Sequence, residues 1–243
     1  KDPLAKVVIA PQEPAAREVF RERCAQFSIQ PIEVGRDIRY EVLQEEPSGQ
    51  VIRVTGTKQS YHDLKLSLLG RHQTINAAVV LGIVEALQSM GCVVPQEAVR
   101  AGFREAFWPG RLEIISKDPF IILDCAHNRS SARSLVESIV RIFPHNNVTL
   151  VLGVSEDKDR AGICGELNRI AGRVIATKAG HPRAHEFSRK ELNVLFANKP
   201  SACLSSIAEV FASIADSPDI ILITGSIFLV SEARRHLCHN SLI

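Results

Sequence analysis

Residues 120–128, FIILDCAHN, carry the pattern that decides the fold. Four consecutive apolar residues are followed by a polar group that begins with Asp124. A short apolar run without alternation is typical of a strand that is covered on both faces. Two later segments repeat the pattern, residues 149–153 (TLVLG) and 220–226 (IILITGS). The sequence therefore predicts a sheet of buried strands that end in polar residues or glycine.

Segments with helical spacing of apolar residues separate these strands. We predict strands near residues 112–116, 120–124, 147–152, 173–177 and 219–224, alternating with helices near 130–142, 158–171, 188–197, 205–215 and 227–239. Strands joined by helices of this length usually run parallel, with helices on both faces of the sheet. The second half of the chain is thus predicted to be a Rossmann-like, mainly parallel α/β domain.

The first half of the chain has a less regular pattern. Strand candidates lie at residues 6–10, 31–34, 39–43, 50–55 and 64–69, and helix candidates at 14–27, 77–90 and 96–107. The Trp-Pro-Gly sequence at residues 108–110 breaks the last of these helices. We therefore divide the chain into residues 1–110 and residues 111–243.

Composition restricts the possible functions. The 243 residues, 45% hydrophobic and 23% charged, are typical of a soluble globular protein with a sizeable core. The net charge of +2 is too small and too scattered to indicate a nucleic-acid or membrane partner. Six cysteines without a C-x-x-C pair indicate reduced thiols and a cytoplasmic protein. His181 and His185 share no ligand pattern with a cysteine, so we expect no zinc site.

The ends of the predicted strands supply the candidate site, because open α/β sheets bind ligands beyond the carboxyl ends of their strands. Asp124 could accept hydrogen bonds from ribose hydroxyls or hold a cation, and His127 could donate to a phosphate or carboxylate. Asp124 and Asn128 could instead cap the following helix. The local sequence fits both roles.

Three further strand ends carry candidates for anion contact. Residues 224–226 (TGS) offer backbone amides and the Ser226 hydroxyl, although a strand-to-helix turn with a serine cap is the simpler interpretation. Lys158 could neutralise a phosphate or carboxylate, and the neighbouring Asp157 could cap a helix. A run of solvated charges is the default interpretation of this stretch. In the loop that carries His181 and His185, Arg183 is a better candidate for anion contact than either histidine.

Six short motifs, in their order and spacing, resemble the folylpolyglutamate synthase/dihydrofolate synthase family of the Mur ligase superfamily. They are residues 69–78 (LGRHQTINAA), 108–113 (WPGRLE), 124–128 (DCAHN), 157–159 (DKD), 182–184 (PRA) and 224–226 (TGS). The resemblance covers nearly the whole chain. It implies that residues 1–110 are the carboxyl-terminal part of a P-loop-type, ATP-binding central domain, and that residues 111–243 are the Rossmann-like carboxyl-terminal domain. Cys125 stands where the family often has glycine, at a variable position.

The same resemblance implies a reaction, in which ATP and Mg²⁺ support the addition of L-glutamate to dihydropteroate or a folate through an acyl phosphate. It implies that Asn76 contacts the adenine, Asp124 the ribose, and Arg111 and His127 the phosphates as catalytic residues. Gln73 belongs to the same ATP-binding motif as Asn76. We also consider Ser226, Arg183 and Lys158 as substrate-binding residues.

One motif of the family does not occur in these residues, the phosphate-binding G-x-x-x-x-G-K-[ST]. In the family this P-loop, the magnesium ligands, a carbamylated lysine and much of the folate pocket lie in the amino-terminal portion. We therefore expect a truncated ligase that is inactive alone, and a parent that is a monomer acting on small molecules. A Mur-type ligase of peptidoglycan precursors and a non-catalytic nucleotide-binding module are the alternatives, although the motifs at 69–78 and 108–113 favour folates.

Overall fold

In the computed structural model, which describes residues 5–144, 147–215, 217 and 219–239, the chain divides between Phe107 and Trp108 into two units. The elements of the first unit are β1 (Val8–Ile9), α1 (Pro14–Ala25), β2 (Ile32–Glu33), β3 (Arg39–Glu46), β4 (Gly49–Thr55), β5 (Ser60–Leu66), α2 (Arg71–Ser89) and α3 (Gln96–Glu105). Strands β1 and β2 pair in parallel on either side of α1. Strands β3, β4 and β5 form an antiparallel sheet in chain order.

The core of the first unit lies between this antiparallel sheet and α2. Ile52, Val54 and Leu64 are fully buried and belong to one apolar cluster with Ala78 and Leu81 of α2. Alternate residues of β4 point into this cluster because successive side chains of a strand face opposite sides. The sheet therefore gives α2 a fixed support on one face.

Helix α2 begins at Arg71, six residues before the predicted start at 77. The prediction was wrong because the first two turns are mostly polar and lack the apolar run by which the helix was recognised. A buried glutamine of β4 fixes the helix start: the Gln50 side-chain amide donates to Leu68 O at 2.7 Å and Gly70 O at 3.3 Å, and Thr74 Oγ1 donates to Gln50 Oε1 at 3.0 Å. The HQxxN motif thus lies on a helix that is anchored from the sheet.

Glu85 of α2 anchors the turn between β4 and β5. Its carboxylate is 5% exposed and accepts the backbone N–H groups of Thr57, Lys58 and Gln59 at 3.0–3.1 Å, together with the Thr57 hydroxyl. Burial alone would raise the pKa of Glu85, but these hydrogen bonds outweigh that effect and the pKa is lowered. The carboxylate therefore stabilises the folded state above its unfolded pKa, and this contribution is lost as the pH falls through the lower folded value.

We expect Glu85→Gln to lower the free energy of unfolding by about 1–3 kcal/mol at pH 7, because the amide leaves buried N–H donors without an acceptor. The difference from the unchanged protein should shrink as the pH falls below about 4.3, the usual pKa of an unfolded glutamate, and should be lost once the native carboxylate is protonated. Urea unfolding at pH 7 and at a series of lower pH values measures this difference in stability. Glu105→Gln, on a side chain that is 70% exposed, is the control and should change stability by less than about 0.5 kcal/mol. Equal effects of the two substitutions would contradict the anchoring role.

The second unit is one α/β layer structure. Its elements are β6 (Glu113–Lys117), β7 (Phe120–Leu123), α4 (Arg129–Ile142), β8 (Val148–Leu152), α5 (Arg160–Leu167), β9 (Ala171–Thr177), α6 (Arg189–Leu195), β10 (Ser201–Leu204), α7 (Ile207–Ile214), β11 (Ile220–Thr224) and α8 (Ile227–His239). The sheet has the order β10-β9-β8-β11-β7-β6, in which β6 alone runs antiparallel to its neighbour. The predicted α/β class with a mainly parallel sheet is confirmed.

Two predictions in this unit need correction. Strand β10 was missed: it has four partly exposed or exposed residues, Ser201–Leu204, and lies at the edge of the sheet, where an apolar run is not required. Helix α5 was predicted to reach residue 171, but it ends at Leu167 and is followed by a turn, and β9 starts at Ala171. Neither error changes the order of the central strands.

The central strands are buried on both faces. Ile122, Leu150 and Leu222 have no exposed surface. Ile221 and Ile223 of β11 pack against α7 and α8 in one apolar cluster. Because the five parallel strands point the same way, the residues that follow them lie along one edge of the sheet. No described helix combines the length and apolarity that a membrane crossing requires.

Candidate functional site

Asp124 follows β7 and is 6% exposed. Its Oδ2 accepts the N–H of Leu112 at 2.9 Å and its Oδ1 accepts the N–H of Ala126 at 2.8 Å. Burial raises the pKa of Asp124 to about 6, although the two backbone donors act in the opposite direction. Asp124 is therefore not the cap of α4. That role belongs to Asn128, whose side chain accepts the N–H of Ser131 at 2.8 Å.

Arg111 lies on a tight turn whose two neighbouring residues have left-handed backbone conformations, Gly110 with φ 67° and Leu112 with φ 45°. A Cβ atom on Gly110 would lie 2.7 Å from the Cys125 sulfur, so this position accepts only glycine without rearrangement. The N–H of Cys125 donates to Gly110 O at 2.9 Å. The turn is thus bonded directly to the segment that carries Asp124 and Cys125.

Arg111 and Glu113 do not form an ion pair with each other. Glu113 Oε1 instead accepts a hydrogen bond from Arg234 Nε of α8 at 2.9 Å, and Glu113 Oε2 accepts the N–H of Gly110 at 2.8 Å. The Arg111 side chain is exposed and has no hydrogen bond or ion pair with the described residues of its own unit. Arg111 and His127 both lie close enough to Asp124 for their charges to lower its pKa.

His127 is exposed at the start of α4. Its ring Nδ1 is 2.9 Å from Cys125 O, and its backbone N–H donates to Ser131 Oγ at 3.1 Å. A carbonyl oxygen can only accept, so Nδ1 must carry the proton. In the neutral ring Nε2 is then an acceptor, and it becomes a donor to an anion only when the ring is protonated.

The loops after β8 and β9 are joined to each other. The N–H of Glu156 donates to Arg183 O, and the N–H of His185 donates to Val154 O, both at 2.9 Å. An isolated antiparallel bridge pairs Ser155 with Ala184. Two segments that are about thirty residues apart in sequence, by the spacing of the paired residues, therefore form one rigid surface.

An aromatic ring of α8 connects this surface to the end of β11. The His181 ring stacks on Phe228 with centroids 3.6 Å apart, and the Arg183 guanidinium lies 5.6 Å from the centroid of the same ring. Ser226 is 6% exposed, and its hydroxyl accepts the N–H of Phe228 at 3.2 Å, as a helix cap does. The structure thus brings Arg183 towards the strand end that carries Ser226.

Lys158 is less available than the sequence suggested. Its amine lies 2.9 Å from Asp157 Oδ2, and this pairing lowers the pKa of Asp157. The predicted helix cap at Asp157 is wrong. Asp159 caps α5, because its Oδ1 accepts the N–H of Gly162 at 2.8 Å.

Asn76 and Gln73 lie in the first unit, on one face of α2, where Asn76 Nδ2 donates to Gln73 Oε1 at 3.0 Å. Asn76 is within the helix, so it links two turns and does not cap the helix. The two amides border a cavity of about 420 Å³ between α2 and α3. Its other walls are apolar and include Leu66, Leu68, Val80, Val84, Val99 and Phe103. An apolar cavity with a pair of amides at its border suits a flat heterocycle with polar edge atoms.

Two features of the site were missed from the sequence. The cavity depends on how α3 packs beside α2, and no sequence motif predicts that packing. The Glu113–Arg234 pair joins residues 121 positions apart, and neither residue lies in a pattern that predicts the other.

The comparisons with known proteins agree on one family. Residues 110–227 match the family described as Mur ligase, glutamate ligase domain. A dihydrofolate synthase/folylpolyglutamate synthase of Bacillus subtilis is 28% identical over 239 residues, which cover 95% of this chain and 54% of that protein. The Mycobacterium tuberculosis protein of the same name is 32% identical over 220 residues, which cover 82% of this chain and 45% of that protein.

A solved structure shows the same similarity in three dimensions. Mycobacterium tuberculosis folylpolyglutamate synthase complexed with ADP matches with a TM-score of 0.77 at 29% identity, over 94% of this chain and 54% of that chain. The chain spans about half the length of the curated relatives it matches. The matched regions extend through both units. The chain belongs to the folylpolyglutamate synthase/dihydrofolate synthase family of Mur ligases.

Proposed function

We propose that the whole protein is an ATP-dependent carboxylate–amine ligase that adds L-glutamate to dihydropteroate, to folylpolyglutamates, or to both. The observation that carries the proposal is Arg111, an exposed guanidinium without a partner among the described residues of its unit, on a turn that is bonded to the Asp124 segment. A planar guanidinium in such a position is suited to bidentate contact with phosphate oxygens. The similarity to a folylpolyglutamate synthase that binds ADP supports the phosphates of ATP as the ligand of this cation.

In the proposed reaction a carboxylate oxygen of the acceptor attacks the γ-phosphorus of ATP, and the bond to the ADP oxygen breaks. The amine of L-glutamate then attacks the acyl phosphate carbon, inorganic phosphate leaves, and the amine loses a proton. Arg111 donates to the phosphate oxygens, on which negative charge accumulates, and His127 in its protonated form donates from Nε2. Neither step needs a protein nucleophile, and the described part of the site presents cations in keeping with that.

We assign the nucleoside end of ATP to two sets of residues. Asn76 and Gln73 would hydrogen-bond the adenine edge, and the apolar cavity beside them supports this assignment. Asp124 would accept a hydrogen bond from a ribose hydroxyl. Each of its carboxylate oxygens accepts one backbone N–H and has a further lone pair for this bond. We also propose that residues 1–110 are the carboxyl-terminal part of the ATP-binding domain, and that residues 111–243 are the carboxyl-terminal domain.

For the incoming glutamate we propose Arg183 as the main contact with a carboxylate, because its guanidinium is exposed and stacked on Phe228. Ser226 would contribute its hydroxyl, and the backbone N–H groups at the start of α8 would contribute further donors. Lys158 would contribute only after release from Asp157, which makes it the weakest of the three candidates.

The magnesium requirement is part of the proposal. Within the described ranges no group of three or more His, Cys, Asp and Glu side chains is placed to hold a metal ion. We therefore propose that Mg²⁺ enters with the triphosphate, whose charge it neutralises, and we assign it no ligand among these residues.

The experiment that tests the proposal uses the full-length protein with ATP, Mg²⁺ and L-glutamate, and supplies dihydropteroate or tetrahydrofolate as acceptor in separate reactions. ADP release should require both an acceptor and glutamate, and the product should be longer by one glutamate, as measured by mass spectrometry. ADP release with a peptidoglycan precursor as acceptor, and with neither dihydropteroate nor tetrahydrofolate, would favour a Mur ligase that acts on peptidoglycan precursors. Nucleotide binding without ADP release in any mixture would contradict catalysis.

A further inference from the structure

We propose that Glu113, supported by Arg234, is a positioning residue for Arg111. Glu113 fixes the turn that presents the Arg111 guanidinium, and Arg234 prevents Glu113 from capturing that guanidinium. The inference rests on the proposed function, since it concerns the cation that is assigned to the phosphates of ATP.

The first argument is the conformation of the turn. Gly110 and Leu112, on either side of Arg111, both have positive φ values. A leucine in this region is disfavoured by about 1–3 kcal/mol and persists only where surrounding contacts enforce it. The direction in which the Arg111 side chain leaves the backbone therefore depends on those contacts.

The second argument is that Glu113 is one of the contacts that enforce the turn. Its side chain is 7% exposed and lies at the first residue of β6. Oε2 accepts the Gly110 N–H at 2.8 Å, which ties the beginning of the turn to its end. Asp124 performs the equivalent function for Leu112, at 2.9 Å. Each of the left-handed residues thus donates its N–H to a buried carboxylate.

The third argument is electrostatic. A carboxylate two residues from Arg111 is the natural partner of that guanidinium, and pairing with it would remove Arg111 from the phosphates. Arg234 occupies Glu113 Oε1 at 2.9 Å, and the hydrogen bond to Glu113 raises the pKa of Arg234. Asp124 is also close enough to feel the charge of Arg111, and both of its oxygens already accept backbone N–H groups. Both of these carboxylates are thereby engaged by other donors.

The test uses substitutions in the full-length protein, with kcat and KM for ATP measured in the ligation assay. Arg234→Met should leave Glu113 without its partner and lower kcat/KM for ATP by about 10–100-fold, because a displacement of about 1 Å at a reacting group has an effect of that size. Adding Glu113→Gln should restore most of the loss, since a neutral amide can accept the Gly110 N–H but cannot capture Arg111. A salt bridge that only stabilises the fold predicts no such rescue.

A double-mutant cycle gives the second readout. Glu113→Ala should lower kcat/KM for ATP in the unchanged protein, and should have little further effect in the Arg111→Ala background, because it acts through Arg111. Equal fold losses in the two backgrounds, or the absence of rescue by Glu113→Gln, would overturn the inference.

A control variant separates stability from positioning. Glu166→Gln removes the carboxylate that pairs with Arg129, Arg133 and Arg169, and its side chain is 9% exposed, much as at Glu113. It should change the unfolding midpoint and leave kcat/KM for ATP unchanged. If the unchanged protein releases no ADP with any acceptor, the proposed function fails. If it is active but the Glu113 and Arg234 variants match the control, the positioning role alone fails.

Discussion

Arg111→Ala in the full-length protein is expected to lower kcat for ATP-dependent ligation by about 10³-fold or more, the effect of removing an arginine that stabilises a phosphoryl-transfer transition state. The measurement is ADP release at saturating ATP, glutamate and acceptor. Arg111→Lys should recover only part of the rate, because an ammonium keeps the charge but lacks the planar pair of donors.

The control for this prediction is Arg235→Ala, which removes an exposed guanidinium from α8 in the same unit. Its rate should stay within about twofold of the unchanged protein, in line with the small effects of surface substitutions. If Arg111→Ala retained a comparable rate, the assignment of Arg111 to the phosphates would be wrong, whatever the fate of the other site residues.

Gly225→Ala is expected to lower the free energy of unfolding by about 3 kcal/mol or more. Gly225 has φ 99°, and a Cβ atom there would lie 2.5 Å from Gly153 O and 2.8 Å from Leu152 Cδ1. The left-handed backbone and the contact with a carbonyl oxygen both oppose a side chain, and the central strands cannot move apart without loss of their pairing. Urea unfolding followed by circular dichroism measures the change.

Gly165→Ala is the matched control for that substitution. Gly165 lies in α5, and a Cβ atom there would meet nothing within 4 Å. The same chemical change should therefore stabilise the protein by about 0.5–1 kcal/mol through helix propensity. Equal losses of stability at both glycines would show that the turn at Gly225 is more adaptable than its geometry indicates.

The central sheet could be predicted because its strands are buried on both faces and leave apolar runs in the sequence. Strand β10 left no such run, since a partly exposed edge strand has no need of one. The start of α2 was hidden for a different reason, because polar residues occupy its first turns. Both cases show that hydrophobic pattern records burial and is silent where a strand or helix is exposed or functional.

The motifs named candidate residues for the site but did not indicate their contacts. The motifs indicated Arg111, Asp124 and His127 together. They did not indicate that Asp124 accepts the N–H of Leu112, or that Glu113 accepts a hydrogen bond from Arg234. Hydrogen bonds between distant segments depend on the folded positions of both partners, so no local spacing encodes them.

The position of β11 has a consequence for the order in which the second unit can form. It is the last of the described strands, yet it lies between β7 and β8 and pairs with both. During synthesis from the amino terminus, β7 and β8 are complete long before their shared neighbour emerges from the ribosome. Until then their facing edges are unpaired and prone to association with other chains. The second unit is thus expected to close late, as a single non-local step rather than strand by strand.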